Sequence, residues 1–249
     1  MHPAAESFRS VADLYERARP GYPAEAVAFL VDRLGLGDGQ VVVDLAAGTG
    51  KLTRELVGHG ARVVAVEPLD EMRAVLARLL PEVEEIEATA ESLPFADGSI
   101  DAVTVAQAFH WFDPDRAFPE IARVLRPGGA LALVANHRDL GDTLQAEIRD
   151  IVESYRGDAP SANVRPWQDW LAGPQTLFGV EEKRAFPWEL ACTADMAVER
   201  IASVSFIAAL EPDEREAALD RVRAAVGGRP EPFPFRYTTG VAVLPRLPD

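Results

Sequence analysis

Two carboxylates close apolar runs in this chain. Asp44 ends "VVVD" and Glu67 ends "VVAVE". Asp44 leads directly into the small-residue stretch "LAAGTGKLT", where Gly48 and Gly50 allow the backbone to approach a ligand closely and to take positive φ. A dinucleotide turn would continue from Gly48 as G-x-G-x-x-G and offer helix N-terminal amides to a pyrophosphate. Here Thr53 stands at the third glycine position, and a carboxylate beside the turn repels a dianion. A ligand with a cationic middle, or with an amine that needs an acceptor, suits Asp44 better. Glu67 can accept hydrogen bonds from both hydroxyls of a ribose, which implies an adenosine-type ligand. Taken singly, each signal stays open to a plainer reading. A strand-end acid also serves as a cap or a solvated residue, and a GxG pair also makes a simple tight turn.

The elements that would position these residues follow from hydrophobic periodicity. Apolar runs at Val41–Leu45, Arg62–Val66, Val83–Ala88, Ile100–Val105 and Leu131–Val134 read as buried strands, with helical spacing in Lys51–Val57, Leu69–Leu79 and Pro114–Leu125 between them. Such alternation predicts right-handed crossovers and a parallel sheet covered on both faces, a doubly wound α/β core. Ala24–Leu34 reads as an amphipathic helix ahead of the first strand, and "RPGG" at Arg126–Gly129 as a helix stop and turn before the fifth. After Asn136 the texture changes. A helix over Asp142–Tyr155 precedes a loop-rich stretch; then come a strand within "GVEEKRAFPWEL", helices over Asp195–Leu210 and Asp213–Val226, and a last strand over Phe235–Val243.

Composition narrows the function classes. The 249 residues, 48% hydrophobic, suffice for a full core in one globular unit. With 40 acidic against 25 basic residues and a net charge of −15, capture of nucleic acid or an anionic membrane is disfavoured, and no Lys/Arg run offsets this. A small-molecule partner is expected. Cys192 is the single cysteine, which rules out a disulfide framework, and the four histidines are dispersed, so a metal site is not expected. The N-terminal stretch is charged, and the chain has no apolar run of about 18 residues, which reads as cytoplasmic. Oligomeric state is not legible.

Six motifs, "YERARPGYP", "VVVDLAAGTGKLT", "VVAVEP", "ATAESLPF", "DAVTVAQAFHWFD" and "IARVLRPGGALALV", stand in an order and spacing that resemble the class I S-adenosylmethionine-dependent methyltransferases. The resemblance is particularly to the small bacterial and fungal, type 11 branch that is similar to trans-aconitate methyltransferase, and it covers nearly the whole chain. It implies a Rossmann-like, doubly wound, mostly parallel seven-stranded sheet with an antiparallel last strand and a helical cap. It also implies a single methyltransferase domain over 1–249, with a lid over 1–35, a cofactor core over about 36–136 and a substrate cap and sheet edge over 137–249, and S-adenosyl-L-methionine as cofactor.

By position, the resemblance has Asp44 take the methionine ammonium through the turn or a water, while the Ala46–Gly50 backbone, with Gly48 and Gly50, lines the cofactor. Glu67 would hold the ribose, and Pro68 and Leu69 would flank the adenine. Thr89 stands where the family often has an Asp for the adenine amino group, so that contact would fall to Ala90, Glu91 and backbone. Ala46 stands where the family usually has Gly, and an ordinary φ is expected there. Gln107, just past the fourth strand, would face the methionine portion, and Tyr15 and Arg19 would form a lid, with Arg19 pairing the carboxylate. Alternatively, Arg19 caps a surface helix.

The acceptor would meet "FHWF". His110 is the candidate catalytic base for a hydroxyl or amine, and Phe109 and Trp111 are candidate contacts; the same cluster could equally be core packing. A carboxylate acceptor, already ionised, needs no base, only orientation and cations such as Arg165 or Arg236. Trp167, Trp170 and Trp188 would line a pocket or pack the cap. A regulatory protein that binds the cofactor without transfer, and an NAD-type oxidoreductase, are the competing readings; Thr53 and Asp44 disfavour the second.

Overall fold

The computed structural model describes residues 11–159, 177–179 and 182–248. Seven strands form one sheet: β1 (Val41–Leu45), β2 (Arg62–Val66), β3 (Glu84–Ile86), β4 (Ile100–Ala106), β5 (Leu125–Arg138), β6 (Glu182–Cys192) and β7 (Phe233–Pro245), in the order β3-β2-β1-β4-β5-β7-β6. β1 pairs in parallel with both β2 and β4, and the parallel set extends to β3 and β5. β7 is antiparallel to β5: the Arg246 N–H donates to the Gly129 carbonyl at one end (2.7 Å), and the Asp139 N–H to the Arg236 carbonyl at the other (3.0 Å). In that register Asn136 faces Thr239, whose hydroxyl donates to Asn136 Oδ1 at 2.6 Å, and Arg138 faces Tyr237.

Among the described residues the helices are α1 (Ala12–Ala18), α2 (Ala24–Leu34), α3 (Thr53–Leu56), α4 (Asp70–Leu79), α5 (Pro114–Val124), α6 (Thr143–Glu153), α7 (Ala194–Ala202), α8 (Ser205–Ala208) and α9 (Pro212–Val226). Their ends follow local chemistry. α2 stops at Gly35, which takes the left-handed conformation at φ 59°. α5 starts on Asp113, whose carboxylate accepts from the Asp115 N–H, with Pro114 in the first turn.

The chain divides into two compact units. One consists of Tyr22–Asn136, Pro160–Phe186 and Thr239–Asp249, the other of Met1–Gly21, His137–Ala159 and Pro187–Thr238. In the first, the strands are apolar on both faces. Val42, Val63 and Ala102 pack with Phe29, Leu30 and Leu56, whereas Val43, Val103, Val105 and Leu131 pack with Phe118 and Ile121. Two covered faces account for the unbroken apolar runs. The second unit has its own core, where Ile148, Ile201, Val222 and Phe235 are buried together.

Four elements differ from the sequence expectation. β3 is confined to Glu84–Ile86, an edge strand whose two Glu residues are exposed. The helix expected over Lys51–Val57 keeps only the four residues of α3. The helix expected over Asp195–Leu210 breaks after Ala202 into α7 and α8. "RPGG" is a bulge inside β5 rather than a turn before it, since Ile100 pairs with Leu125 and Ala102 with Ala130. Glycine permits this: Gly128 has φ 79°, and a Cβ on Gly129 would lie 2.7 Å from the Asp101 carbonyl.

Candidate functional site

The strand register gathers the candidate residues on one edge of the sheet. Leu45 pairs with Val66 and with Val105, and Val66 with Ile86. The chain therefore leaves β1, β2 and β4 at the same level, at their carboxyl ends and beside the point where strand order reverses, the place at which open α/β sheets bind ligands. Asp44, Ala46, Gly48, Gly50, Glu67, Pro68, Leu69 and Gln107 meet there.

Glu67 is the hub. It is 5% exposed; its Oε2 accepts from the Gly48 N–H and its Oε1 from the Leu69 N–H, both at 2.9 Å. One side chain thus ties the turn after β1 to the turn after β2. Further bonds complete the frame: Ala47 N–H to the Val66 carbonyl (3.1 Å) and Gly50 N–H to the Ala47 carbonyl (3.0 Å). Gly48 (φ 59°) has open space where a Cβ would stand, whereas a Cβ on Gly50 (φ 83°) would meet Leu80 Cδ1 at 3.0 Å and Leu76 Cγ at 3.1 Å. Gly50 is required for packing against α4, and Gly48 leaves its backbone open to an incoming molecule.

Asp44 lies at the foot of the turn, 1% exposed. Its Oδ2 accepts from the Thr53 hydroxyl at 2.6 Å and its Oδ1 from the Thr104 hydroxyl at 2.8 Å. These two threonines are the residues that the sequence reading missed as site components. Thr53 registered only as the absence of a glycine, and Thr104 only as one member of a β run; its sole signal was a hydroxyl inside the otherwise aliphatic "VTV". Burial lifts the Asp44 carboxyl to about 6, against the opposing pull of the two hydroxyls. Burial also raises Glu67, with the Leu69 and Gly48 amides pulling down and the Asp44 charge adding to the rise. Two buried acids therefore share one turn, each held up mainly by its burial.

Two residues beside the turn are strained. Ala46 has φ 55° and Gln107 φ 60°, so the ordinary φ expected at Ala46 is corrected. β1 must fold back at once to place the Ala47 amide on Val66, and that takes a left-handed residue. A Cβ in that region costs about 1–2 kcal/mol, whereas glycine adds about 0.5–1 kcal/mol of unfolded-state entropy. Ala46→Gly is therefore expected to raise stability by up to about 1 kcal/mol in urea unfolding. A loss of stability would show that the methyl group packs usefully.

The remaining candidates separate. Pro68 is half-buried, Leu69 and Ala90 are buried, and Thr89 is exposed. Glu91 accepts from the Asp113 N–H at 3.0 Å, and the Gln107 N–H donates to the Val134 carbonyl at 3.0 Å. Phe109, His110 and Trp111 form a 3-10 turn. Phe109 is packed into the core, its ring 5.7 Å from Phe112 and 5.2 Å from Phe118, while the half-buried His110 and Trp111 rings lie 4.8 Å apart. Arg165, Trp167 and Trp170 lie outside the described residues. Arg236 donates to Glu189 at 2.7 Å, and Trp188 stacks on Tyr237 at 5.2 Å. Arg19 belongs to the same unit as Arg236 and Trp188; its guanidinium lies 5.0 Å from the Tyr15 ring centroid, and its Nε and Nη2 donate to the Ser203 hydroxyl and carbonyl at 2.9 and 2.8 Å.

Residues 43–133 match the methyltransferase domain family. An uncharacterised methyltransferase of Mycobacterium tuberculosis is 41% identical over 224 residues, covering 90% of this chain and 87% of that protein. This chain belongs to the methyltransferase family. Among solved structures, a putative type II methyltransferase from Anaeromyxobacter dehalogenans is 26% identical with a TM-score of 0.60, over 93% of this chain and 99% of that one. A phosphoethanolamine N-methyltransferase of Haemonchus contortus, in complex with phosphomonomethylethanolamine and S-adenosylhomocysteine, shares the fold at 18% identity and a TM-score of 0.59, over 96% of this chain and 58% of that one. Among the described residues, no helix of this methyltransferase is long and apolar enough to cross a membrane.

Proposed function

We propose that this methyltransferase methylates a small-molecule acceptor at a carboxylate or hydroxyl, with the cofactor seated on the turn after β1. The cofactor is S-adenosyl-L-methionine, which supplies a methyl group carried on a sulfonium. The observation that carries the reading is the pair of buried carboxylates, Asp44 and Glu67, both held above their ordinary range at one glycine turn. That charge suits a cationic ligand bearing a ribose and opposes a pyrophosphate. The residues fit. Glu67 uses two acceptor positions on Gly48 and Leu69 and keeps further lone pairs for ribose hydroxyls. Asp44 acts through the turn on the ammonium group. Pro68 and Leu69 flank the adenine, backed by Thr89, Ala90 and Glu91, and Gln107 turns its strained backbone toward the methionine portion.

The test is incubation with methyl-labelled cofactor and a panel of carboxylic acids, phenols and amines. Label should enter an acid or a hydroxyl compound, with S-adenosylhomocysteine formed alongside. Cofactor binding with no S-adenosylhomocysteine from any acceptor would instead identify a regulatory protein on this fold.

His110 discriminates between acceptors. Phe109, anchored between Phe112 and Phe118, fixes the turn that carries it, which makes His110 and Trp111 a wall for the acceptor. For a carboxylate no proton has to move, and the residues act by alignment. His110→Ala is expected to lower turnover less than about tenfold and to leave the pH–rate profile unchanged. A loss of about 10²–10⁴ together with disappearance of a titration at about pH 6–7 would make His110 a base and the acceptor a hydroxyl or amine.

A further inference from the structure

Asp44 is a carboxylate at the end of an otherwise apolar face, where Val42, Val63, Ala102, Leu52 and Leu56 are buried together. It points to the side of the sheet that Val42, two residues earlier on β1, also occupies. The parallel register sets Ala65 of β2 on one flank of Asp44 and Thr104 of β4 on the other. Thr53, the first residue of α3, reaches it from the helix layer. All of these residues lie within Tyr22–Asn136, in one compact unit. Both threonines are fully buried, at 0% exposure. Valine would fill either position with the same shape, so what threonine adds is one hydroxyl.

Both hydroxyls go to the one carboxylate, Thr53 to Oδ2 at 2.6 Å and Thr104 to Oδ1 at 2.8 Å. An ionised carboxylate offers about four acceptor positions. The two hydroxyls and the Thr53 amide fill three of them, which leaves room for one further donor. These three donors are neutral, and the charged groups around them are otherwise engaged. Glu67, on the turn after β2, is an acid whose own carboxyl the Asp44 charge raises. Arg73 of α4 holds the Glu67 carbonyl, Asp70 and Glu87, and Arg54 of α3 donates to the Gly50 carbonyl. Lys51 is the other cation of the turn. α2 brings only Ala26, Phe29 and Leu30 to this core.

A carboxylate buried in apolar surroundings is costly unless donors compensate its charge. Burial lifts Asp44 to about 6 while its three bonds pull the other way, so those bonds govern how much of it is ionised near neutral pH. Resting on the reading above in which Asp44 is the counter-charge to the cofactor's ammonium, we propose that Thr53 and Thr104 are positioning residues that keep the Asp44 carboxylate ionised and in one orientation, and thereby set the pH range in which the cofactor is held. They act through Asp44.

Titration calorimetry on the full chain with S-adenosylhomocysteine, which carries the ammonium, tests this from about pH 4.5 to about 8.5. Wild-type affinity should rise through about pH 6 and then level off. Thr104→Val should move that midpoint upward by at least about one pH unit, the equivalent of one charge-assisted bond. It should then bind about tenfold more weakly at about pH 5 and within about twofold of wild type at about pH 8.5. Thr53→Val should do the same from a different element, which keeps the test open where one variant does not fold. Thr104→Ser restores the hydroxyl and should return the midpoint. In an Asp44→Asn background, Thr104→Val should shift nothing. Methylthioadenosine, which lacks the ammonium, should bind wild type and Thr104→Val alike at every pH. Valine variants that keep the wild-type midpoint, or that lose affinity equally at every pH, would overturn the proposal and leave the reading of Asp44 standing, because the hydroxyls would then only shape the turn. Wild-type affinity that does not change with pH, or an equally large shift for methylthioadenosine, would overturn the reading of Asp44 itself.

Discussion

Asp44→Asn should gain on wild type by about 3 kcal/mol in folding stability as the pH rises from about 4 to 7. The Asp44 carboxyl titrates near 6 in the fold against 3.8 for the free group. Below both values the group is neutral in either state and contributes nothing. Between them the unfolded chain releases its proton first, so wild-type stability falls as the pH rises, and the loss is complete once the folded carboxyl has ionised. A displacement of about two units at 1.36 kcal/mol each gives the figure. Asn preserves the shape and can still bond the Thr53 and Thr104 hydroxyls without the charge. Urea unfolding of both proteins across this range measures the difference. Parallel curves would mean that Asp44 ionises as it does in water. The same logic predicts that wild-type cofactor affinity increases over this interval, because a cation is held by the ionised form, and that the increase is absent from Asp44→Asn.

Glu67→Ala should raise the cofactor dissociation constant roughly 10- to 100-fold, from a loss of about 1.5–3 kcal/mol in hydrogen bonds to a charged acceptor. It should also destabilise the apoprotein by about 1–3 kcal/mol, because the Gly48 and Leu69 amides lose their acceptor. Glu67→Gln separates the two effects. Its single carbonyl can still take one amide, so stability recovers in part, while the affinity loss persists if the ribose needs the carboxylate. Calorimetry on variants shown to be folded by circular dichroism decides between them. Unchanged affinity in a folded Glu67→Ala would leave the ribose without its assigned acceptor.

The sheet was legible because β1, β2 and β4 are buried on both faces, so that Val42, Val43, Val63, Val103 and Val105 wrote uninterrupted apolar runs into the chain. Glu67 and the two glycines were legible for a related reason: acids and glycines are out of place at the end of such a run. What failed to register depends on partners distant in sequence. Thr104 matters only because it meets Asp44 from sixty positions away, and the left-handed Ala46 only because its neighbour must reach Val66. Phe109 read equally as a contact for the acceptor or as core packing, because an aromatic cluster past a strand looks the same whether it faces inward or outward; Phe109 packs against Phe118. The break between α7 and α8 has no sequence marker stronger than Ser203, whose hydroxyl turns back to the Arg200 carbonyl.

The double grip of Glu67 on Gly48 and Leu69 bears on how fast this protein works as well as on how tightly. A loop held in shape by the protein's own bonds loses little freedom on capture, and encounter need not wait for it to close. Cofactor analogues that differ in one contact should then arrive at nearly the same speed and differ in how long they stay. Exchange of spent for fresh cofactor would be paced by departure, the step that the bonds from the ribose hydroxyls to Glu67 would prolong.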